Sequence, residues 1–170
     1  MVELDVLRRY PFFKELDTQN LKEIALITQQ KTVPAGTVMF RVGDPADTFY
    51  VIVKGKVEIL YPVGENKRLG MHILEDGDLL VWSAIVPPYV VKTMGTTLED
   101  TLLLAIDAQK LREFFEVDPV LAYLLVNQVA TMLGERLENA RQKFATMFEN
   151  LEEMLHRSRA ELERHVEHVV

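Results

Sequence analysis

FRVGDPADTFYVIVKGKVEILYPVG (residues 40 to 64) and HILEDGDLL (72 to 80) decide the fold of this chain, because glycine punctuates short alternating runs at regular intervals. Gly43-Asp44 falls in a polar turn, Lys54-Gly55 separates two runs, Gly64-Glu65-Asn66 closes a hairpin, and Gly77 follows Asp76 at a reversal. Such turns use glycine because they often require φ > 0. Between them Phe49, Val51 and Val53 share one face of a strand, as do Val57, Ile59 and Tyr61 in the next. Tyr50, Ile52, Lys54 and Glu58 take the other face. The pattern predicts a small β-barrel.

This spacing resembles the cyclic-nucleotide-binding domain of the Crp/Fnr regulators and of kinase regulatory subunits. The resemblance extends upstream through PFFKELDTQNLKEIALITQQKTVPAGTVMF (11 to 40), which is similar to that family's short helices and proline-alanine-glycine first strand. It runs from about Tyr10 to the helix after Asp118. It implies an α+β, mainly β fold: a double-stranded β-helix or jelly-roll barrel with short N-terminal helices over residues 1–117, then a long C-terminal dimerisation helix over residues 118–170.

Composition fits a soluble module. The 170 residues are 48% hydrophobic, enough for one sizeable core plus an extension. No charged-then-apolar leader and no long apolar run occurs, so neither secretion nor a membrane partner is expected, and the setting reads as cytoplasmic. The absence of cysteine excludes disulfides, thiolate zinc sites and cysteine-held iron–sulfur clusters. A net charge of −7 with dispersed Lys and Arg argues against a nucleic-acid partner. Relatives in the Crp/Fnr family carry a winged helix-turn-helix after the dimerisation helix. Here no glycine or proline follows Gly134, so the expectation is a chain without that DNA-binding half.

In the family's nucleotide binders a Gly-Glu pair takes the ribose hydroxyl, and an arginine about ten residues later pairs with the cyclic phosphate. The matching stretch here is GDLLVWSAIVPPYVVKTMG (77 to 95). One register treats Gly77-Asp78 as the turn before this cassette, with Val81-Trp82 at the Gly-Glu pair and Val90-Val91 near the arginine. The other makes Gly77-Asp78 the pair itself and puts Pro88 at the arginine position. Neither supplies a guanidinium, because no arginine occurs between Arg68 and Arg112. Lys92 is a point charge without the bidentate fork and reads as a solvated strand residue, with a phosphate role as the alternative. Asp78 reads as a turn residue bonding its own backbone, with a ribose role as the alternative.

The pocket candidates are therefore Gly77, Asp78, Leu79, Leu80, Val81, Trp82, Ser83, Tyr89, Val90, Val91 and Lys92. Leu79 to Trp82, Ala84 to Val86 and Pro87-Pro88-Tyr89 replace the polar cassette with apolar and aromatic groups. Either they fill the pocket as core, or the pocket stays open to a small apolar or aromatic effector oriented by the Trp82 indole N–H, Ser83 or Tyr89. A true nucleotide is the remaining reading.

Enzymatic readings find little support, and no cofactor or metal is expected. A metal-dependent barrel enzyme needs several histidines converging inside, yet His72 is the only histidine before residue 150. Haem ligation by His72 is set against an ordinary strand histidine, since MHILED does not match the family's haem-binding branch. His165 and His168 are three apart and read as a solvated helix end rather than a metal clamp.

From Asp118-Pro119 the chain reads as helix to its end, about 75 Å if unbroken. Ala130, Leu133, Leu137, Ala140, Phe144, Met147, Leu151 and Met154 alternate three and four apart, a heptad seam that needs a partner. By resemblance this helix pairs about a two-fold axis, giving a homodimer. Phe148 and Leu155 widen the stripe enough for a third or fourth helix, supplied by a second dimer as a tetramer or by a helix folded back on itself. Leu121, Leu125 and Met132 form a second stripe facing the barrel.

The reading that results is a non-enzymatic sensor or protein-interaction module that does not bind cAMP or cGMP. It pairs with itself, with a full-length relative or with another protein. The alternatives are a cyclic-nucleotide regulator with an atypical cassette and the effector half of a transcription regulator.

Overall fold

The computed structural model describes residues 2–63 and 67–167, and the side chains of Lys67, Met71 and 160–167 lie outside the description. The expected hairpin turn Gly64-Glu65-Asn66, the side chain of His165 and residue His168 therefore fall outside the described residues. Two compact units are present, Met1–Val129 and Ala130–Val170.

In the first unit, α1 (Leu4–Arg8), a 3₁₀ turn (Pro11–Phe13) and α2 (Thr18–Leu26) precede eight strands: β1 (Thr28–Val33), β2 (Val38–Phe40), β3 (Thr48–Lys54), β4 (Val57–Val63), β5 (Lys67–Leu74), β6 (Leu79–Leu80), β7 (Met94–Thr97) and β8 (Thr101–Asp107). They form two four-stranded antiparallel sheets in the orders β1-β8-β3-β6 and β2-β7-β4-β5. Apart from the β4–β5 pair, neighbours in each sheet are distant in sequence, as in a jelly roll, and the fold class is the one the family resemblance implied.

The alternation along β3 does not divide core from solvent. Phe49 and Val51 pair with Ile106 and Leu104, while Ile52 on the opposite face pairs with Leu103, and all six are buried. The reason is tertiary. The Phe12 ring, in the 3₁₀ turn, lies 5.0 Å from the Phe49 ring, so the N-terminal helical segment covers one face of this sheet and leaves Ile52 and Leu103 to face the barrel interior. A β-bulge at Val53 then shifts the register, Ile52 opposing Leu103 and Lys54 opposing Leu102. In β4 the alternation holds through Val57 and Ile59, but Tyr61 is exposed where the hairpin extends beyond the core.

Gly43, Gly55 and Gly77 all adopt positive φ, as the turns required. At Gly55 the requirement is double, because φ is 126° and a Cβ would approach the Thr101 backbone to 2.8 Å. Gly95 is required for a different reason: it pairs with Phe40 across β2 and β7, and a Cβ there would clash with the outer edge of the Phe40 ring.

After β8, Asp107 caps α3 (Ala108–Val117), its carboxylate accepting from Lys110 N–H at 3.1 Å. The sequence reading did not separate this helix from the barrel. Asp118 then caps α4 (Pro119–Glu167), accepting from the N–H groups of Val120 and Leu121, both at 3.0 Å. Within the first unit, Leu121, Leu125 and Val129 are buried along α4. Val129, not Met132, continues that stripe, and Met132 lies in the second unit, half-buried.

Candidate functional site

β6 delivers the chain into the cassette, with Tyr50 opposing Leu80 and Val51 opposing Leu79. Asp78 fixes the turn before it: its carboxylate accepts from Glu75 N–H at 2.8 Å, and its carbonyl accepts from Ile52 N–H at 3.0 Å. Val81 then adopts a left-handed conformation with φ 59° and ψ 49° and opens a 3₁₀ turn over Trp82–Ala84. A β-branched residue rarely takes this conformation, so backbone strain is held at this position.

Beyond the turn the chain passes through a cis Pro87-Pro88 bond and a second left-handed residue, Tyr89. It is tied to the loop before β3 by hydrogen bonds from Ala46 N–H to Tyr89 C=O and from Val91 N–H to Asp44 C=O, both 2.9 Å.

The expected pocket residues divide by exposure. Leu79, Leu80, Ser83 and Val91 are buried with Ala84 and Ile85. Gly77, Asp78, Val81, Trp82 and Val90 are half-buried. Tyr89 and Lys92 are exposed. Val91, in one register near the position of the family's arginine, is only 3% exposed.

The guanidinium at this site comes from elsewhere, and the sequence reading missed it. Arg112 of α3 donates from Nη1 to Ala84 C=O at 2.8 Å, reaches Ala46 C=O at 3.4 Å, and lies 4.5 Å from the centroid of the Tyr89 ring. The strand order explains the meeting: α3 follows β8, β8 pairs with β3, and β3 pairs with β6, which leads into the cassette. The available signal was the sequence Leu111-Arg112, a cation directly after a buried position of an amphipathic helix.

Other features lie apart from the cassette. An open cleft of about 240 Å³ is lined by Lys31 and Val33 of β1, Val38 and Met39 of β2, and Tyr50, and by none of the cassette residues. His72 is half-buried on β5 opposite Ile59. Among the described residues no group of three or more His, Asp or Glu is placed to hold a metal ion, and no helix is long and apolar enough to cross a membrane.

In the second unit, Leu137, Phe144, Met147, Leu151 and Met154 of the expected seam are exposed, as are Phe148 and Leu155, while Leu133 and Ala140 are half-buried. Tyr123 and Val126 follow the same three-and-four spacing upstream and are also exposed, an extension of the apolar series that the sequence reading did not include.

A cyclic nucleotide-binding domain family model matches residues 30–118, just over half of the chain. The chain belongs to the cyclic nucleotide-binding domain family. It is similar to a putative cyclic nucleotide-binding protein from Geobacter metallireducens, with 29% identity and a TM-score of 0.73 over 81% of this chain and 99% of that one. Among curated proteins, an uncharacterized NTE family protein from Mycobacterium tuberculosis is 24% identical over 76% of this chain and 21% of its own length. A CRP-like cAMP-activated global transcriptional regulator from the same organism is 22% identical over 84% of this chain and 62% of its own. The chain thus spans about a fifth of the length of the NTE-family relative and under two thirds of the regulator.

Proposed function

We propose that this member of the cyclic nucleotide-binding family is a non-enzymatic effector-type module whose cassette is closed by the chain's own side chains and does not accept cAMP or cGMP. The observation that carries this reading is the Arg112 guanidinium, held on Ala84 C=O at 2.8 Å, while the residues that the two cassette registers align with the family's arginine are apolar, buried Val91 in one and Pro88 in the other. A cyclic phosphate placed there meets an apolar side chain, and a buried anion without a paired guanidinium costs several kcal/mol. Asp78 supports the same reading, since its carboxylate already accepts a hydrogen bond within its own turn. Lys92, the one cation between residues 77 and 92, is exposed.

Calorimetric titration with cAMP and cGMP tests this directly. The expected result is binding weaker than millimolar, and micromolar binding of either nucleotide overturns the proposal in favour of a nucleotide sensor with an atypical cassette. Half-buried Trp82 and exposed Tyr89 favour a second reading, in which an aromatic or apolar effector sits on the cassette. Trp82 is the only tryptophan, so its emission reports on this region. A screen of aromatic acids and nucleobases that leaves emission and melting temperature unchanged leaves the closed cassette as the sole reading.

The output of the module is assembly through α4. In isolation a homodimer along the Leu133–Met154 seam is the form that covers the exposed apolar side chains, with Phe148 and Leu155 available for a tetramer.

A further inference from the structure

The seam on the second unit has a charge pattern that apolar spacing alone does not reveal. With Ala130, Leu137, Phe144 and Leu151 at heptad position a, and Leu133, Ala140, Met147 and Met154 at d, the flanking e and g positions from 130 to 157 contain Arg136, Arg141, Lys143 and Arg157 and no acid. The acids, Glu135, Glu138, Glu149, Glu152 and Glu153, all occupy the outer b, c and f positions. The helix therefore presents an apolar stripe with a basic rim and keeps its acidic surface away from the seam.

A second copy matches this rim poorly. In a parallel pair, position g faces the following e of the partner helix, which sets Arg136 against Arg141 of the second copy twice over, once on each side. Like charges at these positions oppose association. The intrahelical pairs Arg141–Glu138 at 3.9 Å and Arg157–Glu153 at 3.4 Å are solvent-exposed, and such pairs hold a cation only weakly against a better-placed carboxylate.

We infer that the preferred occupant of the α4 seam is an apolar-striped helix of a different protein, flanked by Asp or Glu at its e and g positions, and that it displaces the second copy. The inference rests on the seam reading above, and the experiment separates the two. The full chain is titrated with two synthetic helical peptides about four heptads long, both with Leu at every a and d, one with Glu and the other with Lys at every e and g.

Sedimentation equilibrium and calorimetry should show the Glu peptide binding at least about tenfold more tightly than the Lys peptide at low salt and converting the self-associated chain into a mixed complex. The preference should shrink as salt is raised from about 0.05 M to about 0.5 M. The variant carrying Arg136→Glu, Arg141→Glu, Lys143→Glu and Arg157→Glu, its fold checked by circular dichroism, should invert the preference. Equal binding of the two peptides, or a self-associated chain left intact by excess Glu peptide, overturns the charge argument while leaving the seam standing. A monomer that binds neither peptide overturns both.

Discussion

Arg112 links three segments that are remote in sequence: the cassette turn through Ala84 C=O, the loop before β3 through Ala46 C=O, and the Tyr89 ring by stacking. A hydrogen bond from a charged donor contributes about 1.5–3 kcal/mol and a partly exposed cation–π contact about 0.5–1 kcal/mol. Discounted for its half-exposed setting, Arg112→Ala should cost about 1–3 kcal/mol, read as a melting temperature lowered by roughly 2–4 °C per kcal/mol. Trp82 emission should shift to the red as the turn loosens. Arg112→Lys should recover only part of the loss, because an ammonium lacks the planar fork and the stacking face. An alanine variant that melts with the wild type shows that Arg112 does not hold these three segments together. Nothing in the sequence near residues 77–95 announces this contact: the absence of an arginine there was plain, but Arg112 lies downstream in α3 and reaches the cassette only through the strand order. Val81 was equally hidden, since its left-handed backbone is imposed by the turn on a residue type that disfavours it.

At the level of elements, the glycine punctuation was legible because a positive φ restricts the residue as well as the backbone, and Gly43, Gly55 and Gly77 all adopt it. The two buried faces of β3 were not, since the helical segment that covers Phe49 is brought in by tertiary packing and leaves no mark on the strand's alternation. The start of α4 was legible in Asp118-Pro119, and its chemistry gives a pH-dependent prediction. Hydrogen bonds from Leu121 N–H and then the Asn20 side chain, with a lesser one from Val120 N–H, hold the Asp118 carboxyl below its ordinary value of 3.8 against the opposing effect of desolvation. A carboxylate with a depressed folded pKa stabilises the fold above its unfolded pKa, and that contribution is lost as pH falls through the folded value. The stability gap between wild type and Asp118→Ala, measured by urea unfolding, should therefore be constant above the ordinary carboxylate range and narrow below 3.8. A gap that stays unchanged down to about pH 2 would assign the cap's effect to packing rather than to charge.

For the whole molecule, the exposed stripe sets the expectation. A Phe144 side chain 65% exposed, together with Leu137, Met147, Leu151 and Met154, is an apolar surface that soluble monomers seldom carry. Light scattering of the chain alone should give a mass of at least twice 19.5 kDa at micromolar concentration. Leu137→Glu introduces a charge at the centre of the seam, where an unpaired carboxylate must be desolvated, and should return the chain to a monomer. Phe148→Glu with Leu155→Glu alters only position e, outside the a and d contacts, and should leave the dimer while removing any tetramer. The same double change places acids on a basic rim, so it should also tighten the dimer at low salt, an effect that added salt reverses. A wild-type chain that stays monomeric contradicts the seam. A strict dimer indifferent to the Phe148 and Leu155 changes shows instead that the wider stripe is not covered by further copies of this chain.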